Sequence, residues 1–269
     1  MKDYLYIDSN DDAHQAKFKV SPTPKIDHLI SQEKYSEALS EINQVLKTDN
    51  SAPNLNLKGI ILDKLSEFDE ANKYFDKSLN LEENDEVKLN KANTLYNWAK
   101  ISFFPEGNYD KALRIINCAL DVIPDSEDPS EFYFLRAEIY EGMDDLVEAQ
   151  KSYLIAYKEF DRLKELESQI DYLHSKDDTL INIVGSNFYE FTPESGVVVD
   201  LIKDDENEHD PDAIEVLVDG KTVGYVANNP YTLIDEVNSA SDIKNMIGEN
   251  QKAEIIFIYL GEYVIAKLI

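Results

Sequence analysis

Apolar residues recur at spacings of three and four through residue 157, and alternate with polar ones from about residue 180 onward. Four segments align: "EKYSEALSEINQVLKTD", "SEFDEANKYFDKSLNLE", "GNYDKALRIINCALDVIP" and "DDLVEAQKSYLIAY". Each opens on an aromatic or leucine (Tyr35, Phe68, Tyr109, Leu146), with alanine three residues on (Ala38, Ala71, Ala112, Ala149). A large apolar residue follows four later (Ile42, Phe75, Ile116, Tyr153), then Val45, Ser78, Ala119 or Ala156 after three more. Offsets of three and four fall on one helix face, so each segment predicts an amphipathic helix.

A preceding helix can be placed for each. Ile26, Gly59 and Ala137 stand twelve residues before the alanine in the first, second and fourth segments; in the third, Ala92 stands twenty before Ala112. Eight extra residues therefore lie within "NTLYNWAKISFFPEGNYD". Small residues at these points let two helices approach closely. The pattern of small residue, Tyr or Leu, Ala, aromatic, Ala and Pro resembles the tetratricopeptide repeat, with Pro124 in the terminating position and Pro22 and Pro24 interrupting the first helix. The resemblance implies four helix pairs over residues 19–157 after a tail at 1–18, with "KEFDRLKELESQIDYLH" and a polar linker at 158–178 capping the stack.

Stacked helix pairs curve, and their first helices line a concave face suited to an extended peptide. The residues expected there are Asn56, Ile60, Leu89, Asn93, Tyr96, Trp98, Phe134 and Glu138, with Phe103 and Phe104 beside them as further apolar anchors. The basic members used by relatives that grip C-terminal carboxylates are absent, so that clamp is not expected. Ordinary packing of an extended helix pair also accounts for the aromatics.

After Ser175 the pattern changes. "INIVG", "GVVVDLI", "AIEVLV", "KTVGYVA", "AEIIFIYL" and "GEYVIAKLI" read as short strands bounded by Pro, Gly and Asp, and "DGK" at 219–221 as a tight hairpin turn. Only "TLIDEVNSASDIKNMI" reads as helical. The expected fold class is α+β in two domains: an all-α helical solenoid, then a small, partly open β-barrel with one helix at 179–269.

The order of "IVGSNFY" and "VVDLIKDDENEHDPDAIEVLVDGKTVGYV" resembles the HIRAN domain, whose Asn-x-x-Asp-x-x-Ala-Ile core falls on Asn207, Asp210, Ala213 and Ile214. Its Gly-aromatic pair falls on Gly224 and Tyr225. That resemblance implies recognition of a single-stranded 3′ end, with Phe188, Tyr189 and His209 stacking on bases and Asp210 accepting from the terminal hydroxyl. Three basic positions of the family are here Asn187, Tyr225 and Asn228. Residues 179–269 hold five lysines, no arginine and 17 acids, a formal −12. Phosphate contacts supply most of the affinity for a nucleic-acid backbone, so the means of holding one are depleted. The residues by themselves read more simply as a turn, because Asn and Asp side chains bond their own backbone and Pro211 fixes φ. Asp204, Glu206, Glu208 and Glu215 mimic the oxygen spacing of a calcium loop, but His209 stands where such a loop needs glycine.

Charge narrows the partners. Against 54 acids the chain sets 26 Lys and Arg, a formal −28, which repels nucleic acid and anionic membranes over about 8 Å at physiological salt. Cys118 is the single cysteine, which excludes an internal disulfide and any cysteine-cluster metal site. The N-terminal residues lack a basic start and apolar run, and "IIFIYL" is far short of the ~20 residues a span needs. There is no Gly-rich phosphate loop, no HExxH and no triad spacing; His14, His28, His174 and His209 are scattered. A hydrolase would need carboxylates converging in a pocket. The expectation is a cytoplasmic, non-enzymatic adaptor without cofactor, metal or membrane partner, with a protein or peptide in the groove. The alternative is a reader of single-stranded DNA or RNA 3′ ends in repair or remodelling.

Overall fold

The computed structural model describes residues 24–175 and 177–269; the expected tail at 1–18 and the start of the first repeat lie outside them. Contacts divide the chain into two compact units meeting between Lys158 and Glu159.

The first unit is a succession of helix hairpins: α1 (Pro24–Ser31) with α2 (Tyr35–Val45), α3 (Ala52–Lys64) with α4 (Phe68–Leu81), α5 (Asp85–Phe103) with α6 (Tyr109–Val122), and α7 (Ser130–Gly142) with α8 (Leu146–Ala156). Each helix packs on its hairpin partner; α2, α4 and α6 pack on the first helix of the next pair, as α3 and α5 do more lightly. The repeated alanines Ala38, Ala71 and Ala112 have no exposed surface and Ala149 almost none. Gly59 shows why the position before them is small, since a Cβ there would stand 2.7 Å from Cε1 of Phe75. In the first pair Ile26 fills that place and is buried with Ala38 and Ile42. The extra length of the third pair goes mostly into α5, 19 residues against 13 in α3 and α7.

The turns within the pairs repeat as well. Glu33, Ser66 and Asp144 all adopt φ near +60°, and Gly107 does so in the third pair. The N–H groups of Lys34, Glu67 and Asp145 bond the carbonyls of Leu29, Leu62 and Tyr140 at 2.9–3.0 Å, and those of Glu33, Ser66 and Asp144 bond Ile30, Asp63 and Glu141. This is the helix-ending motif in which a left-handed residue satisfies the last open carbonyls. The first helices α3 and α5 are joined by two polar bonds 34 residues apart, Asn90 to Asn56 at 3.3 Å and Asn97 to Asp63 at 3.4 Å.

The second unit begins with α9 (Phe160–Ser175), the helix expected to cap the solenoid. Its Tyr172 meets Phe257 edge-on, ring centroids 5.9 Å apart. Six strands follow, β1 (Leu180–Val184), β2 (Val198–Lys203), β3 (Ile214–Val218), β4 (Lys221–Val226), β5 (Gln251–Tyr259) and β6 (Tyr263–Leu268). They close in the order β1-β4-β3-β2-β5-β6 with every neighbour antiparallel. The barrel is closed where a partly open one was expected, because β1 pairs with β6 from Leu180↔Lys267 to Ile183↔Val264 and leaves no free edge. "DGK" forms the anticipated turn: Val218 pairs with Lys221 around Asp219 and Gly220, both at positive φ.

Inward residues Ile181, Ile183, Val199, Leu201, Ile214, Val216, Ile255 and Val264 fill the barrel. The expected long helix shrinks to α10 (Ala240–Ile243), whose Ala240 and Ile243 join that core. Ser239 and Asp242 cap it reciprocally, which fixes where this short turn begins.

Candidate functional site

The barrel loop at 204–213 is built from its own side chains. Asn207 Oδ1 accepts from the N–H groups of His209 and Asp210 at 3.0 and 3.1 Å, and its Nδ2 donates to Asp204 at 2.9 Å. Asp210 Oδ1 accepts from the N–H of Asp212 at 2.9 Å. Asn228 Nδ2 reaches both Asp210 oxygens at 3.1 and 2.9 Å, while its own Oδ1 accepts from Ser241. Lys244 closes the arrangement by donating to the Pro211 carbonyl and pairing with Asp205 at 2.9 Å.

A carboxylate offers about four acceptor positions, and internal donors take three at Asp210. The residue assigned by resemblance to a terminal hydroxyl is thus committed largely to the turn. Asn228, noted in the sequence only for replacing a lysine, turns out to be its principal partner. Eighteen residues separate the two, so no local pattern could have revealed the pair.

Beside this loop the rings behave differently. Phe188 is 91 % exposed and Tyr189 42 %, on the single turn Ser186–Tyr189 that follows β1. Tyr189 lies 6.5 Å from the ring of Tyr225. Burial, followed by Tyr189, Glu215 and Asp204, pushes the Tyr225 hydroxyl up to about 12. His209 is exposed. Tyr231, not singled out in the sequence, is 92 % exposed. Of the barrel's lysines, Lys244, Lys252 and Lys267 are engaged with Asp205, Asp200 and Asp178.

The first-helix face of the solenoid carries the other candidates. Ile60 is buried, Asn56 and Leu89 half-buried. Asn93 is 8 % exposed, and its side-chain oxygen is buried without a hydrogen-bond partner. Tyr96 packs edge-on against Phe132 of α7 at 5.3 Å. Trp98, grouped with Tyr96 in the sequence, leaves this face: it stacks on Phe68 of α4 at 6.4 Å and 18°. Two residues apart on a helix point to different sides, and the neighbouring helices divide them accordingly.

Phe134 meets Tyr153 and Tyr157 at 5.4 and 6.2 Å, and Tyr153 donates to Glu141 at 2.9 Å. Glu138 has its carboxyl raised by burial and by Glu141, with Lys100 opposing.

Among the described residues, no group of three or more His, Cys, Asp or Glu could hold a metal ion. No described helix is long and apolar enough to cross a membrane. No protein-family model and no curated protein matches this chain.

Proposed function

We propose that the chain is a non-enzymatic adaptor whose helical unit receives an extended segment of a partner protein along its first helices, with the barrel as a second binding module. The observation that carries this reading is Asn93. A buried amide oxygen without a partner costs about 1–3 kcal/mol, and an incoming backbone N–H would satisfy it. Leu89 and Tyr96, one turn to either side, supply apolar surface for the same segment. Selection of a random peptide library on the full chain tests the reading. Enriched peptides should lose at least tenfold in affinity for Asn93→Ala while the helical content is unchanged; enrichment indifferent to Asn93 and Leu89 would sink it.

A second reading assigns the barrel to a single-stranded nucleic-acid 3′ end in repair or remodelling, and the exposure of Phe188 favours it. Base stacking on such a ring is worth about 1–3 kcal/mol. The hydrogen bonds already held by Asp210 and the formal −12 of residues 179–269 weigh against it. The adaptor reading is therefore preferred.

A further inference from the structure

Asn90, Asn93 and Asn97 stand at spacings of three and four on α5, which puts them on one stripe of the helix. Asparagine is a poor helix former, and amides as enclosed as Asn90 and Asn93, 3 % and 8 % exposed, need partners. The outer two have them. Asn90 Nδ2 donates to Asn56 at 3.3 Å and Asn97 Nδ2 to Asp63 at 3.4 Å, both across to α3 and both at an offset of 34 residues. At that offset Asn93 stands level with Gly59, which has no side chain to answer it. The Asn93 side chain finds no partner among the described residues, and its Oδ1 is buried. The flanking bonds hold the stripe in place, and the middle amide is left open.

From Asn90 to Asn97 the stripe is also neutral, in a chain with 54 acids. The carboxylate that meets it, Asp63, already accepts from Asn97 and lies 3.7 Å from Lys64. A carboxamide offers one acceptor and two donors, the same groups a peptide bond presents. Along the helix axis Asn93 and Asn97 are about 6 Å apart, close to the roughly 6.5 Å between alternate N–H groups of an extended chain.

We infer that Asn93 and Asn97 read the main chain of the partner segment, accepting from N–H groups two residues apart and leaving the side chains at those two positions unselected. The inference rests on peptide binding along the first helices and adds what is read there: an extended backbone with unsubstituted amides.

The full chain is used to select a binder from a random peptide library. The binder is then remade with each backbone amide N-methylated in turn and, separately, with each side chain truncated to alanine. N-methylation should cost about tenfold or more in affinity at two positions two residues apart, while alanine at those positions costs less than about twofold. Asn93→Ala should abolish the sensitivity to one of these N-methyl groups, and Asn97→Ala the sensitivity to the other. Because the Asn93 side chain bonds nothing in the fold, Asn93→Ala should unfold at no lower temperature than the parent. A lower midpoint would show that the amide serves the helix pair and would overturn the inference. N-methyl effects that Asn93→Ala leaves unchanged, or losses confined to the alanine series, would overturn it too, with peptide binding itself intact. A library that yields no binder would overturn both readings.

Discussion

The side-chain amide of Asn228 bonds both carboxylate oxygens of Asp210, and its carbonyl accepts from the N–H and hydroxyl of Ser241. One residue thereby ties the 204–213 loop to the start of α10. Asn228→Ala removes two bonds to a carboxylate and the acceptor for the Ser241 N–H and hydroxyl, leaving that hydroxyl with Ser239 alone, so the barrel should lose about 1–3 kcal/mol. Asp210→Asn keeps an acceptor for Asp212 and should lose less. Native-state hydrogen exchange at the β4 amides would measure both; equal losses would mean that the Asn228 bonds contribute little.

At Gly224, β4 runs close against β1. A Cβ there would stand 2.5 Å from the Val184 carbonyl oxygen and 3.1 Å from Ile183 Cγ2. Backbone cannot yield as a flexible side chain can, so Gly224→Ala should destabilise the barrel by more than about 2 kcal/mol. Gly220→Ala meets no atom within 4 Å and bears only the strain of φ +74°, about 1 kcal/mol. Urea denaturation followed by far-UV circular dichroism should rank them in that order. The opposite ranking would mean that the turn, not strand contact, limits the barrel.

Gly59 and Phe75 give a coupled pair in the helical unit. Gly59→Ala intrudes on the Phe75 ring and should cost about 1–3 kcal/mol, although alanine is the better helix former. Phe75→Leu vacates that space at a cost of its own. The double variant should be more stable than the sum of the singles by about 1 kcal/mol. Additive effects in thermal unfolding would place the strain elsewhere.

The solenoid was legible because its alanine spacing occurs four times, and repeated burial of one small residue leaves a mark that single helices lack. Its turns were not legible. The left-handed conformation falls on Glu33, Ser66 and Asp144, none of which is glycine, and it arises from the helix-ending bonds rather than from composition. The six strands could be read from alternation, but closure depends on β1 meeting β6 across some 80 residues, which no local pattern encodes. At the loop, the turn chemistry of Asn207 and Asp210 was visible in "NEHDPDAI", whereas the bond to Asn228 was not. Tyr96 and Trp98 show the same limit, since proximity in sequence hid their separation onto α7 and α4.

High pH should loosen the second unit. Burial first, and then neighbouring acids and hydroxyls, raise Tyr172 and Tyr225 to about 12, against about 10 in the unfolded chain. A group raised in the folded state contributes stability that is complete below pH 10 and lost as the pH climbs through 12, because the unfolded chain gives up its proton first. Denaturant midpoints should therefore fall between pH 10 and 12. Tyr172→Phe and Tyr225→Phe should each flatten the decline; an unchanged slope in both would show that other groups drive it.

Phe188 stands outside the barrel's core. At 91 % exposure its side chain contributes almost nothing to the core, so Phe188→Ala should leave unfolding within about 0.5 kcal/mol of the parent. Any role of the ring lies outside folding. Fluorescence anisotropy of the full chain with a short single-stranded DNA, bearing either a free 3′ hydroxyl or a 3′ phosphate, tests the one proposed. A reader of 3′ ends should bind the hydroxyl form alone, lose it with Phe188→Ala, and weaken modestly with salt because few phosphates are contacted. Asp210→Ala would also abolish binding, but it removes the acceptor for Asn228 and Asp212, so its effect must be set against barrel stability. The preferred adaptor reading expects no binding of either form at low salt, since 17 acids confront the phosphates and the Asp210 oxygens are held by Asn228 and Asp212. Hydroxyl-dependent binding would reverse that preference and show that the loop releases Asp210 to the ligand.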